Sequence, residues 1–182
     1  MGVTIHYRGN LDNKKHIDQF IVEVSDICQS MDWNYTVLDE DWSIPSSLEI
    51  DHQEEGVGLT GHAGLKGVSF IPHEDCEPVR LTFDAKGQLN SVMNIAFGMQ
   101  KSEKGAPWLF SKTQFAGVEV HVSIIKLLKY INKKYVSNLE VQDEGDYWDT
   151  GDEQTVSNRM NMISTAMDAL EEGLQALSDS DD

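Results

Sequence analysis

The first forty residues change from a strand-like to a helix-like spacing of apolar side chains. Val3, Ile5 and Tyr7 alternate with polar residues, which predicts a strand with one buried face. Asp12 or Asn13 can then accept hydrogen bonds from the first free amides of a helix. Apolar residues at helical spacing form the predicted stripe of that helix: Ile17, Phe20, Ile21, Val24, Ile27, Cys28 and Met31.

The middle of the chain predicts an antiparallel meander. Residues 43–67 have no clear period, five glycines and many acids, and we predict a long loop there. Asp84-Ala85-Lys86-Gly87 has the turn chemistry of a hairpin, which would join strands before and after it. A returning strand is predicted over 34–38, after the first helix, and the predicted strands of the meander are 66–71, 79–83, 89–97 and 108–115.

Helical spacing returns in the last third of the chain. A helix is predicted over residues 118–134, followed by a strand over 138–141. Asp152 or Thr155 can open a final amphipathic helix. Its apolar residues are Val156, Met160, Ile163, Met167, Leu170, Leu174 and Leu177.

Two parts of the chain resemble each other. Residues 16–40 align without a gap on residues 120–144, and both segments end in an Asp-Glu pair, Asp39-Glu40 and Asp143-Glu144. With their flanking strands, the two copies extend over 3–42 and 111–148. We therefore predict an internally duplicated β-α-β unit, one copy on each side of the meander.

These elements predict an α+β fold. The helices are too few to cover both faces of a sheet, which favours a mixed or mostly antiparallel sheet with helices on one face and an additional C-terminal amphipathic helix. A chain of 182 residues suits one domain, which we place at 1–177. The acidic residues 178–182 are predicted to be a disordered tail.

The net charge of the chain limits the kinds of molecule that it is expected to bind. The net charge of −17 disfavours direct binding to nucleic acid or to an anionic membrane. The N-terminal residues lack the pattern of a secretory signal, and no apolar run has the length of a transmembrane helix, so a cytoplasmic location is predicted. No cofactor is predicted.

Two motifs suggest chemistry that their context does not support. Gly56, Gly58 and Gly61 form a G-x-G-x-x-G pattern, but glycine recurs at positions 64 and 67, where a dinucleotide fold needs a helix. His73, Asp75 and Cys76 could contribute to a metal site, although no second pair of ligands has suitable spacing. We predict a glycine-rich loop and a polar turn instead.

Strand parity gives the strongest candidate site. If the odd residues of the first strand are buried, His6 and Arg8 lie on the opposite face, and Arg80 lies on the same face of a later strand. The chain has three arginines, so two of them would share this face. A guanidinium group suits carboxylate or phosphate, which makes His6, Arg8 and Arg80 the predicted ligand site.

The leading functional hypothesis is a non-catalytic interaction domain that binds an unknown protein partner or self-associates. The alternative is an enzyme, or a protein that binds a small anion or other small ligand, using the face around His6, Arg8 and Arg80. A third hypothesis is an acidic mimic of nucleic acid that inhibits a DNA-binding protein.

Overall fold

The computed structural model describes residues 2–53, 56–98 and 105–178. It is about 40% helix and 24% strand, and its strand pairs are antiparallel, which confirms the predicted α+β class. The strands are β1 (Thr4–Arg8), β2 (Asn34–Asp39), β3 (Glu49–Gln53), β4 (Gly56–Thr60), β5 (Lys66–Ile71), β6 (Val79–Phe83), β7 (Leu109–Lys112) and β8 (Glu140–Asp143). The helices are α1 (Ile17–Ser30), α2 (Val92–Ala96), α3 (Val118–Lys134), α4 (Tyr147–Thr150) and α5 (Glu153–Ser178).

The strands form two three-stranded sheets and a separate hairpin. One sheet has the order β7-β1-β8 and the other β2-β5-β6, while β3 pairs with β4. The stretch before β6 connects the two larger sheets, because the Glu77 amide donates to the Lys112 carbonyl at 3.1 Å and the Ser111 hydroxyl donates to the Glu77 carbonyl at 2.7 Å. The two sheets therefore meet between β6 and β7.

Helices α1 and α3 bury apolar side chains in one core with the odd residues of β1. Val3, Ile5 and Tyr7 are fully buried there. Phe20 of α1 meets the rings of Phe83 and Tyr135 edge to face, with centroids 5.2 and 5.3 Å apart. Burial on this scale is the main stabilising contribution in a domain that has no disulfide among its described residues.

Two of the predicted elements are wrong. Residues 43–67 contain the β3–β4 hairpin rather than only a loop, because extended backbone there forms its own ladder. Residues 89–97 do not form a strand beyond the bridge from Leu89 to Phe83. Helix α2 begins instead, since the Ser91 hydroxyl accepts a hydrogen bond from the Asn94 amide at 3.1 Å and caps its first turn.

The internal duplication is not confirmed. The two proposed copies end in strands with different partners, because β2 pairs with β5 whereas β8 pairs with β1. Their acidic residues also differ in environment: the Asp39 side chain is 63% exposed beside Lys66, whereas the Asp143 side chain has no exposed surface. The single-domain boundary at 177 remains a prediction, and residues 179–182 of the predicted tail lie outside the described residues.

Candidate functional site

The outer face of β1 carries the side chains that parity predicted. Thr4, His6 and Arg8 are half-buried, whereas the odd residues of this strand are fully buried. Antiparallel pairing with β7 places His6 opposite Phe110, and their ring centroids are 6.2 Å apart. His6 Nε2 also lies 3.9 Å from a Glu144 carboxylate oxygen.

The Arg8 guanidinium already contacts two side chains of the domain itself. Its guanidinium donates a 2.7 Å hydrogen bond to Glu140 and lies 4.6 Å from the ring centroid of Trp108. The cation–π contact and the ion pair hold Arg8 against the sheet. Arg8 therefore supports the aromatic wall of the site and offers a ligand little of its own hydrogen-bonding capacity.

Arg80 is the arginine without a carboxylate partner in the described part of the chain. Arg8 pairs with Glu140, and Arg159 pairs with Asp146 at 2.6 Å. The Arg80 guanidinium instead donates a hydrogen bond to the Pro78 carbonyl at 3.3 Å. The chain carries 31 acids against 14 lysines and arginines, so an unpaired arginine stands out. Its planar fork retains donors for an anionic group.

An open groove of about 520 Å³ lies beside Arg80, between β6, α2 and β7. Three large apolar side chains that remain exposed line it: Met93 is 47% exposed, Phe97 51% and Phe110 54%. Trp108 and Glu77 also contribute to the walls. We call this the Arg80 groove, and it combines apolar walls with an arginine that has unused donors.

A smaller depression of about 200 Å³ adjoins the Arg80 groove. Arg80 and Met93 line both spaces, and the lining of the smaller one also includes Leu38, Ser69 and Thr82. Arg80 therefore stands between two recesses on the outer face. Of the three predicted site residues, only Arg80 lines the groove, while Arg8 contacts Trp108 and His6 contacts Phe110 in its aromatic walls.

The main chain of Arg80 is fixed to β1. The Tyr7 hydroxyl accepts from the Arg80 amide at 2.9 Å and lies 3.2 Å from the Arg80 carbonyl, to which it donates. Burial raises the pKa of Tyr7 well above its usual range, so the phenol stays neutral and keeps its proton for the carbonyl. The backbone position of Arg80 is therefore fixed by a residue of the core.

The weak metal candidates do not converge. His73 and Asp75 are exposed, and His73 Nδ1 already accepts from the Asp75 amide at 3.1 Å. Cys76 is buried, and its thiol lies 3.8 Å from the Ser111 hydroxyl. Burial raises the pKa of this thiol, which disfavours the thiolate form that binds metals. Within residues 2–53, 56–98 and 105–178, no three His, Cys, Asp or Glu side chains form a metal-binding group.

The glycine pattern lies mainly in a strand. Gly56 and Gly58 belong to β4, which pairs with β3 and opens no helix. This position agrees with the prediction that the pattern is not a nucleotide-binding loop. Gly67 has a different role, because a Cβ there would lie 2.1 Å from the Leu81 carbonyl oxygen, so the close approach of β5 to β6 requires glycine.

A buried polar cluster lies on the other side of β7, and sequence reasoning missed it. We define the Thr113–His121–Asp143 cluster by two contacts: Thr113 Oγ1 is 2.8 Å from His121 Nδ1, and His121 Nε2 is 3.0 Å from Asp143 Oδ1. The side chains of His121 and Asp143 have no exposed surface. The only signal in the sequence was the position of His121 on the apolar stripe of its helix.

Asp143 is held by main-chain donors as well as by His121. Its carboxylate accepts from the Gly145 amide at 2.8 Å and from the Trp148 amide at 2.9 Å. Burial alone raises the pKa of Asp143, but His121 and these two amides outweigh it, so the pKa lies below its ordinary value. The Asp143 carboxylate is therefore ionised and paired inside the domain.

The cluster leaves no space for a ligand. A Cβ on Gly145 would lie 2.7 Å from His121 Nε2 and 3.2 Å from Asp143 Oδ1. Although a hydroxyl, an imidazole and a carboxylate in series are typical of nucleophilic catalysis, these groups have no route to a substrate here. We assign the cluster a structural role.

No protein-family model matches this chain, and no curated protein or solved structure matches it. Within the described residues, the search for a helix that could cross a bilayer finds none.

Proposed function

We propose that the protein is a non-catalytic interaction domain that binds a segment of a partner protein in the Arg80 groove. The partner would supply an apolar side chain for the walls and a carboxylate for the guanidinium. The observation that carries this proposal is the unpaired Arg80 beside three exposed apolar side chains. Aromatic residues, methionine and arginine are the types enriched in protein interfaces.

The chemistry of the two polar sites supports a binding role over catalysis. The groups around the groove include a guanidinium, a thioether and aromatic rings, which recognise shape and charge, and the Glu77 carboxylate already accepts a hydrogen bond from the Lys112 amide at 3.0 Å. The histidine–aspartate pair that could transfer protons is fully buried instead. A desolvated arginine pairing with a carboxylate on an apolar floor gives both affinity and orientation.

A small amphipathic carboxylate is a second candidate ligand. The volume of about 520 Å³ falls within the range of about 300–1,000 Å³ that is usual for small-molecule sites. The open shape of the groove favours a peptide segment over such a molecule. The hypothesis of a nucleic-acid mimic remains a prediction, as does the cytoplasmic location.

Peptide selection tests the proposal. Random peptides displayed on phage would be selected on the wild-type chain and then assayed as synthetic peptides by fluorescence anisotropy. We expect enrichment of an apolar residue near an acid or a terminal carboxylate, and a loss of affinity of about 10-fold or more in Arg80→Ala.

The matched control is Arg159→Ala, which removes an arginine that is already paired with Asp146. It should leave peptide binding unchanged, whereas Phe97→Ser should weaken it. Selection of no peptide, or of peptides that bind Arg80→Ala as tightly as the wild type, would contradict the proposal. If 2-naphthoate shifts the NMR signals of the groove while no peptide binds, the small-ligand alternative is favoured.

A further inference from the structure

The apolar residues of α5 follow a coiled-coil spacing that extends beyond the part of the helix packed on the domain. Their intervals alternate between four and three residues over more than three turns. The members are Val156, Met160, Ile163, Met167, Leu170, Leu174 and Leu177. We call this row the α5 stripe.

The first part of the stripe is used by the domain itself. Val156 and Met160 are buried, and Ile163 packs against the core. Gln114 fixes this part of the helix by donating to the Met160 carbonyl at 3.0 Å and to the Ser164 hydroxyl at 3.2 Å. α5 also contacts α3 and α4.

Beyond Ile163, Met167 and Leu170 of the same stripe face solvent. Residues 164–172 are all exposed, and Met167 and Leu170 are 40% and 65% exposed. A helical segment of about 15 residues without tertiary packing is marginal in water, and Gly173 weakens it further. Because α5 continues beyond Ile163 with the same apolar spacing, we expect this part of the helix to be covered by a partner.

Charge identifies the kind of partner. No lysine or arginine follows Arg159 in the sequence, and every charged residue beyond it is acidic. These acids are Asp168, Glu171, Glu172, Asp179, Asp181 and Asp182. A second copy of the chain would bring acidic helices together and add a net charge of −17 to another −17. A basic partner would gain from the same charges.

We infer that residues 164–178 of α5 form a docking helix for a partner protein that presents a basic amphipathic helix. The partner's apolar residues would pack into the exposed stripe, and its lysines or arginines would flank Glu171 beside the stripe. Ala166, on the other flank, is small and allows a close approach of the two helices. This surface is separate from the Arg80 groove.

The test uses the full chain and a synthetic helical peptide with leucine at the a and d positions and lysine at e and g. Binding is measured by fluorescence anisotropy at physiological salt. We expect the double variant Met167→Ser/Leu170→Ser to weaken binding at least 10-fold. The matched control is Thr165→Ser/Ala169→Ser, which changes the opposite side of the same helix and should bind like the wild type.

A second peptide separates apolar from charge recognition. Replacing its lysines by glutamine should weaken binding to the wild type, and raising the salt concentration should weaken binding of the lysine peptide. If the lysine peptide binds Met167→Ser/Leu170→Ser as tightly as Thr165→Ser/Ala169→Ser, the inference is overturned. The peptide would then be attracted only by the net charge of the protein.

Failure of the lysine peptide to bind also overturns the inference. If the wild type then dimerises in sedimentation equilibrium and Met167→Ser/Leu170→Ser does not, the stripe belongs to a second copy. Arg80→Ala should leave docking of the lysine peptide unchanged, so the outcome is independent of the proposed groove function.

Discussion

The Arg80 groove and the Thr113–His121–Asp143 cluster use similar polar chemistry in opposite ways. In the cluster, a carboxylate and an imidazole are completely buried and paired with each other and with main-chain amides. In the groove, a guanidinium lies among exposed apolar side chains and has no carboxylate partner among the described residues. Burial beside polar partners of the domain itself creates a structural element, whereas exposure with unused donors creates a surface for recognition.

The comparison predicts its largest effect for removal of the histidine in the cluster. His121→Ala would leave the Asp143 carboxylate buried beside an empty space, so we expect a loss of about 3–5 kcal/mol in the free energy of unfolding. Urea denaturation measures this loss. The control is His73→Ala, which removes an exposed histidine and should change stability by no more than about 0.5 kcal/mol. A similar small change in both variants would show that the cluster does not stabilise the fold.

A smaller effect, with a defined pH dependence, is expected for Asp143→Asn. We expect a loss of about 1.5–3 kcal/mol near pH 6, because the amide keeps the shape of the carboxylate but loses the hydrogen bonds made by a charged group. The pKa of Asp143 is lowered in the folded state, so its contribution is complete above the unfolded value of about 4 and is lost as the pH falls through the folded value.

The difference in stability between wild type and Asp143→Asn should therefore shrink below about pH 4. Chemical denaturation from pH 6 down to pH 2 provides the measurement. Asp149→Asn serves as the control, because Asp149 is exposed on the neighbouring helix. A difference that grows as the solution becomes more acidic would contradict the assigned direction.

The smallest change in stability is expected on the groove side. Arg80→Ala should alter the free energy of unfolding by no more than about 0.5 kcal/mol, because the side chain has no ion pair to lose and the main-chain bonds to Tyr7 remain. Thermal and urea denaturation of this variant check the point. A loss comparable to that of His121→Ala would mean that Arg80 is part of the fold and not of a binding surface.

Local sequence patterns predicted the elements whose side chains follow a single period. The alternation in β1 and the stripe of α3 both agree with the structure, because one face of each element meets the core. The prediction was wrong at residues 89–97, because a short apolar run is compatible with either a strand or a helix. There the Ser91 side chain caps the first turn of α2 and favours the helix. The β3–β4 hairpin was missed because its glycines obscure any alternation.

The candidate site was predicted only in part, since parity assigns a face but not a partner. Parity placed Arg8 and Arg80 on the outer side of the sheets. It could not show that the Arg8 guanidinium already binds Glu140 and contacts the ring of Trp108. The apolar walls depend on α2, which was predicted as a strand. The buried cluster joins residues that are 8 and 22 positions apart, and no local pattern reports such a contact.

The bond between Tyr7 and the main chain of Arg80 has a mechanical consequence. β1 pairs with β7 and β8, whereas β6 pairs with β5, so this phenol is one of the groups that join the two sheets, together with Glu77 and Ser111. The Arg80 groove lies across this junction, with Phe110 on one side and Arg80 on the other. A ligand that contacts both sides would raise the free energy needed to separate the sheets, and binding would then slow amide exchange in strands that it never contacts.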